Sequence, residues 1–204
     1  MSNIKSDLEY TVAITGASGS IYGKRLLQVL LEQDYNVSLI ISEPGKLVIK
    51  HELGFSFNED NASAEIAGWL DRLDVAHRLK YYSDNDLMAP ICSGSHVSSG
   101  MVVIPCSMAT LGAIANGISS SLIERAADVM LKESRRLIIV PRETPLNRIH
   151  LANLLKAEEA GAKIVPAMPA FYNSPKTIED IVDFVVGKVL DQLGVEHNLF
   201  TRWG

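Results

Sequence analysis

Cysteine is nearly missing from this chain of 204 residues: Cys92 and Cys106 are the only two, and they form no CxxC pair. Neither a disulfide scaffold nor a thiolate zinc site is therefore expected, and a reducing compartment fits. No apolar run reaches the roughly 18 residues that a bilayer-spanning helix needs. The first ten residues, MSNIKSDLEY, hold no apolar signal core, so a cytoplasmic protein is expected. Positive charge is also short, with 19 Lys and Arg against 24 Asp and Glu for a net charge of −5. That balance argues against a nucleic-acid or anionic-membrane binder, whose affinity needs a basic surface. Metal-ligand spacing is absent too. The histidines at 51, 77, 96, 150 and 197 show no HxxxH or HExxH pattern, and no DDxxD-type acidic cluster appears. Metal dependence is not supported.

What the chain does have is an ordinary globular composition, 47% hydrophobic and 21% charged. At this length one core can bury roughly 70% of the unfolded surface, so a single domain over 1–204 is expected, with tails at 1–9 and 195–204. Six apolar segments read as strands: Thr11–Thr15, Val37–Ile41, Leu79–Tyr82, Met101–Ile104, Leu137–Val140 and Lys163–Val165. Helical patterns alternate with them over Ile21–Gln33, from near Pro44, and over Ala64–Leu73, Ser107–Ala115, Leu122–Glu133, Asn147–Ala160 and Thr177–Leu193. Such alternation builds parallel βαβ units, hence a doubly wound α/β sheet.

In that architecture ligands sit outside the carboxyl ends of the strands, on the βα loops. Four loops stand out: Gly16–Ser20, Ser42–Gly45, Pro105–Thr110 and Pro141–Arg148. Gly16-Ala17-Ser18-Gly19, between a strand and a helix, can hold an anion on backbone N–H groups; a tight turn without ligand is the bland alternative. The GxGxxG spacing is absent, Tyr22 stands where an extended short-chain reductase wants Gly, and the second strand ends in Ser42. The one YxxxK match, Tyr172 to Lys176, contains Pro175 and reads as a loop. Pro105–Thr110 offers a second cradle, or simple N-capping by Ser107. Cys106 as nucleophile would need an adjacent base, and the sequence nominates none.

Residues 124–150 gather Arg125, Lys132, Arg135, Arg136, Arg142 and Arg148 against four acids. Arg142-Glu143 follows the fifth strand at the ligand edge, where converging cations suit a phosphate and a carboxylate suits proton handling. For Arg135 and Arg136 a salt-bridged solvated face is equally compatible. From Leu87 to Ile123 no Asp, Glu, Lys or Arg occurs over 37 residues. Much of that stretch is expected to be buried, under a ligand, against other subunits, or as a core strand with its Ser/Gly-rich loop.

Several ordered motifs resemble those of the UbiX-type flavin prenyltransferases. They are Thr15-Gly16-Ala17-Ser18-Gly19, Asn85-Asp86-Leu87-Met88-Ala89-Pro90, Ser93-Gly94-Ser95, Pro105-Cys106-Ser107, Ile123-Glu124-Arg125-Ala126-Ala127-Asp128 and Leu131-Lys132-Glu133. Downstream follow Val140-Pro141-Arg142-Glu143-Thr144-Pro145, Pro169-Ala170-Phe171-Tyr172 and Arg202-Trp203-Gly204. The resemblance implies a Rossmann-like (flavodoxin-like) three-layer domain assembled as a dodecamer. It implies metal-independent transfer of a dimethylallyl group from dimethylallyl monophosphate to N5 and C6 of reduced FMN. The product would be the cofactor of a UbiD-type decarboxylase, in ubiquinone biosynthesis or aromatic acid decarboxylation.

By the same resemblance FMN contacts Gly16, Ala17, Ser18, Ser42, Ser107, Met108, Ala109, Thr110 and Arg142, with Arg125 nearby. Tyr172 and Lys188 hold the prenyl phosphate, surrounded by Lys132, Arg142 and Glu143. Ser18 and Glu52 stand beside the reacting flavin edge, and Trp203 reaches a neighbouring subunit's site. Two positions depart from the pattern: Leu87 stands where some members carry Trp, and Lys188 replaces Arg, keeping charge but losing bidentate geometry. The alternative is an FMN-dependent cysteine decarboxylase or a flavin carrier. The decarboxylase's PxMNxxMW-like segment does not match Pro141-Arg142-Glu143-Thr144-Pro145-Leu146-Asn147.

Overall fold

The strands of the computed structural model, which describes residues 8–202, are β1 (Glu9–Ile14), β2 (Asn36–Ile41), β3 (Leu79–Ser83), β4 (Gly100–Cys106), β5 (Leu137–Pro141) and β6 (Lys163–Ile164). All pairings are parallel, in the order β3-β2-β1-β4-β5-β6. β4 and β5 are buried at every residue, which is why they read as unbroken apolar runs. Helices α1 (Ser20–Glu32), α2 (Glu43–Leu53), α3 (Ala62–Trp69) and α7 (Ile178–Leu193) cover one face. Helices α4 (Met108–Ala115), α5 (Leu122–Lys132) and α6 (Arg148–Glu159) cover the other. Alternate strand residues feed the two cores: Val12, Leu39, Val102 and Ile138 enter the first, and Ala13, Ile40, Val103 and Ile139 the second. The result is the expected three-layer, doubly wound sheet, with its switch point between β1 and β4.

Local departures from the sequence expectation have local causes. β1 begins at Glu9, not Thr11, because Glu9 pairs with Asn36 and its carboxylate accepts from Ser38 Oγ at 2.8 Å. α3 stops at Trp69 because Asp71 takes a left-handed φ of 56°, and a 3-10 turn over Leu73–Arg78 completes the stretch. Residues 195–200 of the tail pack back on α7. Val195 is buried, and His197 and Phe200 lie against Gly187 of α7, where no side chain intervenes.

The charge-free stretch divides as well. Its centre is β4, while Met88, Val97 and Ile118 remain 91%, 74% and 48% exposed. On α6, Leu151 and Leu155 share a face one turn apart and are also uncovered, with Ile149 nearby.

Candidate active site

The loop after β1 is shaped by two close approaches. A Cβ on Gly16 would collide with Pro44 Cβ, and one on Gly45 would stand 2.7 Å from the Ile14 carbonyl oxygen. Glycine at both positions lets the loops after β1 and β2 lie against each other. Ser42 then caps α2 by accepting the Gly45 N–H at 3.1 Å, with Pro44 in the first turn. Gly19, at φ 101°, turns the chain into α1 without a side-chain cap. The missing cap comes from elsewhere. Glu52, in the last turn of α2, accepts the N–H groups of Gly19 and Ser20, both at 3.0 Å.

Burial alone would raise the Glu52 carboxyl pKa. The Ser18 hydroxyl, the two backbone N–H groups and the Arg142 charge outweigh it and hold the pKa below the ordinary glutamate value. Glu52 therefore stays ionised, with the Ser18 hydroxyl donating to it.

The loop after β4 is bound to the first loop through Thr15, whose hydroxyl donates to the Pro105 carbonyl at 2.8 Å and accepts the Ser107 N–H at 2.8 Å. Ser107 caps α4 by accepting from Thr110 N, and its hydroxyl pairs with that of Thr110 at 3.0 Å. Among the described residues the first-turn N–H groups of Met108 and Ala109 have no partner, and no acid stands in that turn. An anion fits there. Cys106, just before, is fully buried, and burial pushes its thiol up to about 12, so it is no nucleophile.

Arg142, two residues before the Thr144-Pro145 turn, closes the crevice from the β5 side. Its Nε donates to the Ser18 carbonyl at 3.1 Å, while its two terminal nitrogens have no partner among the described residues. Beside it Glu143 is exposed and, among the described residues, accepts only its neighbour's N–H, from Thr144 at 3.0 Å. Tyr22 stands below: its ring packs against Gly19, whose Cβ would lie 2.9 Å from the ring carbons. In the sequence Tyr22 stands out only as the residue that breaks a reductase pattern, and nothing there beyond its position marks the tying role of Thr15. A Thr ending the strand at the switch point, and a Tyr one turn after the loop glycine, were the available signals.

The remaining expected residues lie elsewhere. Tyr172 meets Phe184 edge-on at 5.9 Å, Phe184 meets Phe200 at 5.1 Å, and Lys188 Nζ stands 6.0 Å from the Phe200 ring and 3.5 Å from Asp191. Tyr172 and Lys188 therefore share one aromatic patch. Arg125 is ion-paired with Asp128 at 2.8 Å, and its charge acts on Cys92 in the segment after β3. Lys132 stands apart. It ends α5, five residues before β5 begins, and so lies at the amino edge of the sheet, opposite Arg142 and Glu143. There it pairs with Glu133 at 2.5 Å, beside the backbone of Gly94. Within one chain it cannot join the Arg142 group. Trp203 is outside the described residues.

Gathered at the switch point are thus a backbone cradle, free helix N–H donors, an unspent guanidinium and an ionised carboxylate, a donor set that fits a phosphorylated heterocycle such as FMN.

Comparison with known proteins agrees. The family model described as Flavoprotein matches residues 2–190. A flavin prenyltransferase UbiX of Halalkalibacterium halodurans is 53% identical over 197 residues, covering 96% of this chain and 93% of that protein. The crystal structure of AnUbiX in complex with FMN and dimethylallyl pyrophosphate superposes with a TM-score of 0.85 at 40% identity, over 97% of both chains. A dodecameric FMN-dependent UbiX-like decarboxylase from Escherichia coli O157:H7 gives 0.84 at 42% identity, over 97% of this chain and 100% of that one.

Proposed function

The chain belongs to the UbiX family of flavin prenyltransferases, and from that premise we propose how its own residues divide the work. The enzyme joins a dimethylallyl group to FMN and so makes the prenylated flavin that UbiD-type decarboxylases use. Bound reduced FMN supplies the nucleophilic N5 and C6 positions. Everything else falls to the protein.

Gly16, Ala17, Ser18, Ser42 and the Ser107–Thr110 turn hold FMN. The open N–H groups of Met108 and Ala109, and the Gly16 approach that leaves the loop bare of side chains, support that assignment. Ser18 and Glu52 handle a proton at the reacting edge, the hydroxyl passing it toward or from a carboxylate kept ionised by the head of α1. Arg142 neutralises the departing phosphate. One observation carries the reading: Arg142 is fixed through Nε to Ser18 while its two terminal nitrogens have no partner among the described residues. Storing a flavin alone would not call for a second phosphate clamp, so the carrier reading is weaker; the cysteine decarboxylase reading lacks its motif.

Glu143 stands beside the leaving phosphate, and Tyr172 and Lys188 hold the same group from the α7 side. Lys132 and Arg125 serve the site of a neighbouring copy. The exposure of Lys132 at the opposite sheet edge and the uncovered apolar side chains support this, as does the dodecameric relative. The enzyme is a homo-oligomer, of twelve subunits in this proposal, with Trp203 reaching across. A dimethylallyl monophosphate donor, hand-over of the product to a UbiD-type decarboxylase, and cytoplasmic residence complete it. No helix among the described residues is long and apolar enough to cross a membrane.

Anaerobic incubation with reduced FMN and dimethylallyl monophosphate, followed by mass spectrometry of the flavin, tests the reading. A gain of one prenyl unit is expected. An unchanged flavin mass would overturn it.

A further inference from the structure

Tyr22 has no place in the scheme above, yet it borders the same loop: it is partly buried against the core beneath α1, with its ring at Gly19. Its ring is wedged against Gly19, the residue next to Ser18, on whose carbonyl Arg142 is anchored. The Tyr22 backbone N–H closes the turn by donating to the Gly19 carbonyl at 3.0 Å, which fixes where the side chain leaves the helix. Its hydroxyl has no hydrogen-bond partner among the described residues, and the same holds for the terminal nitrogens of Arg142.

The Arg142 charge reaches the phenol, but burial outweighs it and raises the phenol pKa above the ordinary value. The group stays protonated at neutral pH and acts as a hydrogen-bond donor. A neutral donor and an adjacent unspent cation, both held by the same turn, form a pair that an anionic oxygen can bridge.

We infer that Tyr22 is an unrecognised ligand-binding residue of this site, donating its hydroxyl hydrogen to a phosphoryl oxygen that Arg142 also contacts. The inference rests on the site reading above. Two molecules in the reaction carry that chemistry, the flavin mononucleotide and the prenyl phosphate, and the test separates them.

Tyr22→Phe keeps the ring against Gly19 and removes only the hydroxyl. The dissociation constants of FMN and of riboflavin, which lacks the phosphate, are measured by flavin fluorescence. The KM of dimethylallyl monophosphate is measured anaerobically, and Arg142→Ala is run alongside. Loss of a hydrogen bond to a charged group is expected to weaken one constant about tenfold. A rise confined to FMN, with riboflavin unchanged, supports the inference and assigns the flavin phosphate. A rise in donor KM with FMN unchanged supports it and assigns the donor. If Tyr22→Phe leaves all three constants unchanged while Arg142→Ala weakens one, the role of Tyr22 is overturned and the site reading stands. If neither variant changes any constant, the site reading fails and the inference falls with it.

Discussion

The Glu52 carboxylate accepts the backbone N–H of Gly19 at 3.0 Å across 33 positions of the chain. The helix that needs capping and the helix that supplies the cap are consecutive, so one side chain fixes the angle between them. The carboxylate also meets the partial positive charge at the head of α1.

Glu52→Gln is expected to lower stability by no more than about 1 kcal/mol at pH 7, since the side chain is exposed and screened. The folded-state pKa of Glu52 is depressed. Its contribution is therefore present above the unfolded value, near 4.3, and lost as pH falls through the folded one. Urea unfolding of both proteins at pH 7 and at about pH 3 should show the gap closing in acid. A gap independent of pH would contradict the assignment.

Removing the Arg142 guanidinium should damage catalysis far more than folding. Arg142→Ala is expected to lower kcat/KM for the donor about 100-fold or more, as losing one preorganised charge donor does elsewhere. Arg142→Lys should recover only part, because a lysine cannot hold Ser18 and a phosphate at once. Steady-state assays paired with thermal melts check this.

Lys132 and Arg142 lie at opposite sheet edges of one chain, so their defects should be separable between subunits. Lys132→Ala alone is expected to cut turnover severely while FMN binding persists. Refolding a mixture of Lys132→Ala and Arg142→Ala chains together should restore a fraction of the activity that neither homogeneous protein has. Mixed assemblies as inactive as their parents would remove Lys132 from the scheme.

Cys106 should resist alkylation. With its thiol pushed up to about 12 inside the core, iodoacetamide at pH 8 is expected to leave it unmodified in the native protein. In denaturant both cysteines should react, as peptide mass mapping would read. Rapid native labelling of Cys106 would count against its burial.

Gly16→Ala tests the contact between the first two loops. The added methyl meets Pro44, so a destabilisation of about 1–3 kcal/mol is expected, together with weaker FMN binding as Ser42 moves. Chemical denaturation and a flavin titration measure the two effects.

Much of this was legible from the chain. β1, β2, β4 and β5 announced themselves because strands buried on both faces are dominated by apolar residues, with only Thr11 and Ser38 as buried polar positions in β1 and β2. The Gly16–Gly19 and Ser107–Thr110 loops were legible because cradle and cap are local properties. The place of Lys132 takes a topological step that its motif does not carry: a residue that ends the helix before a parallel strand lies at that strand's amino edge, away from the ligand loops of its own chain. Glu52 was named from resemblance, but its bond to Gly19 depends on the length and tilt of α2, which no local pattern encodes. Tyr22 went unweighed because its worth comes from Arg142, 120 positions away.

The carboxylate seated on the head of α1 also decides what this sheet refuses. Dinucleotides on doubly wound sheets rest their pyrophosphate on the helix that follows the first strand. Here that berth is already filled by an anion covalently part of the chain, and NAD or FAD lying in the usual manner would bring like charge against Glu52. The donors of α4, one strand over, carry no such built-in anion and remain open to a phosphate.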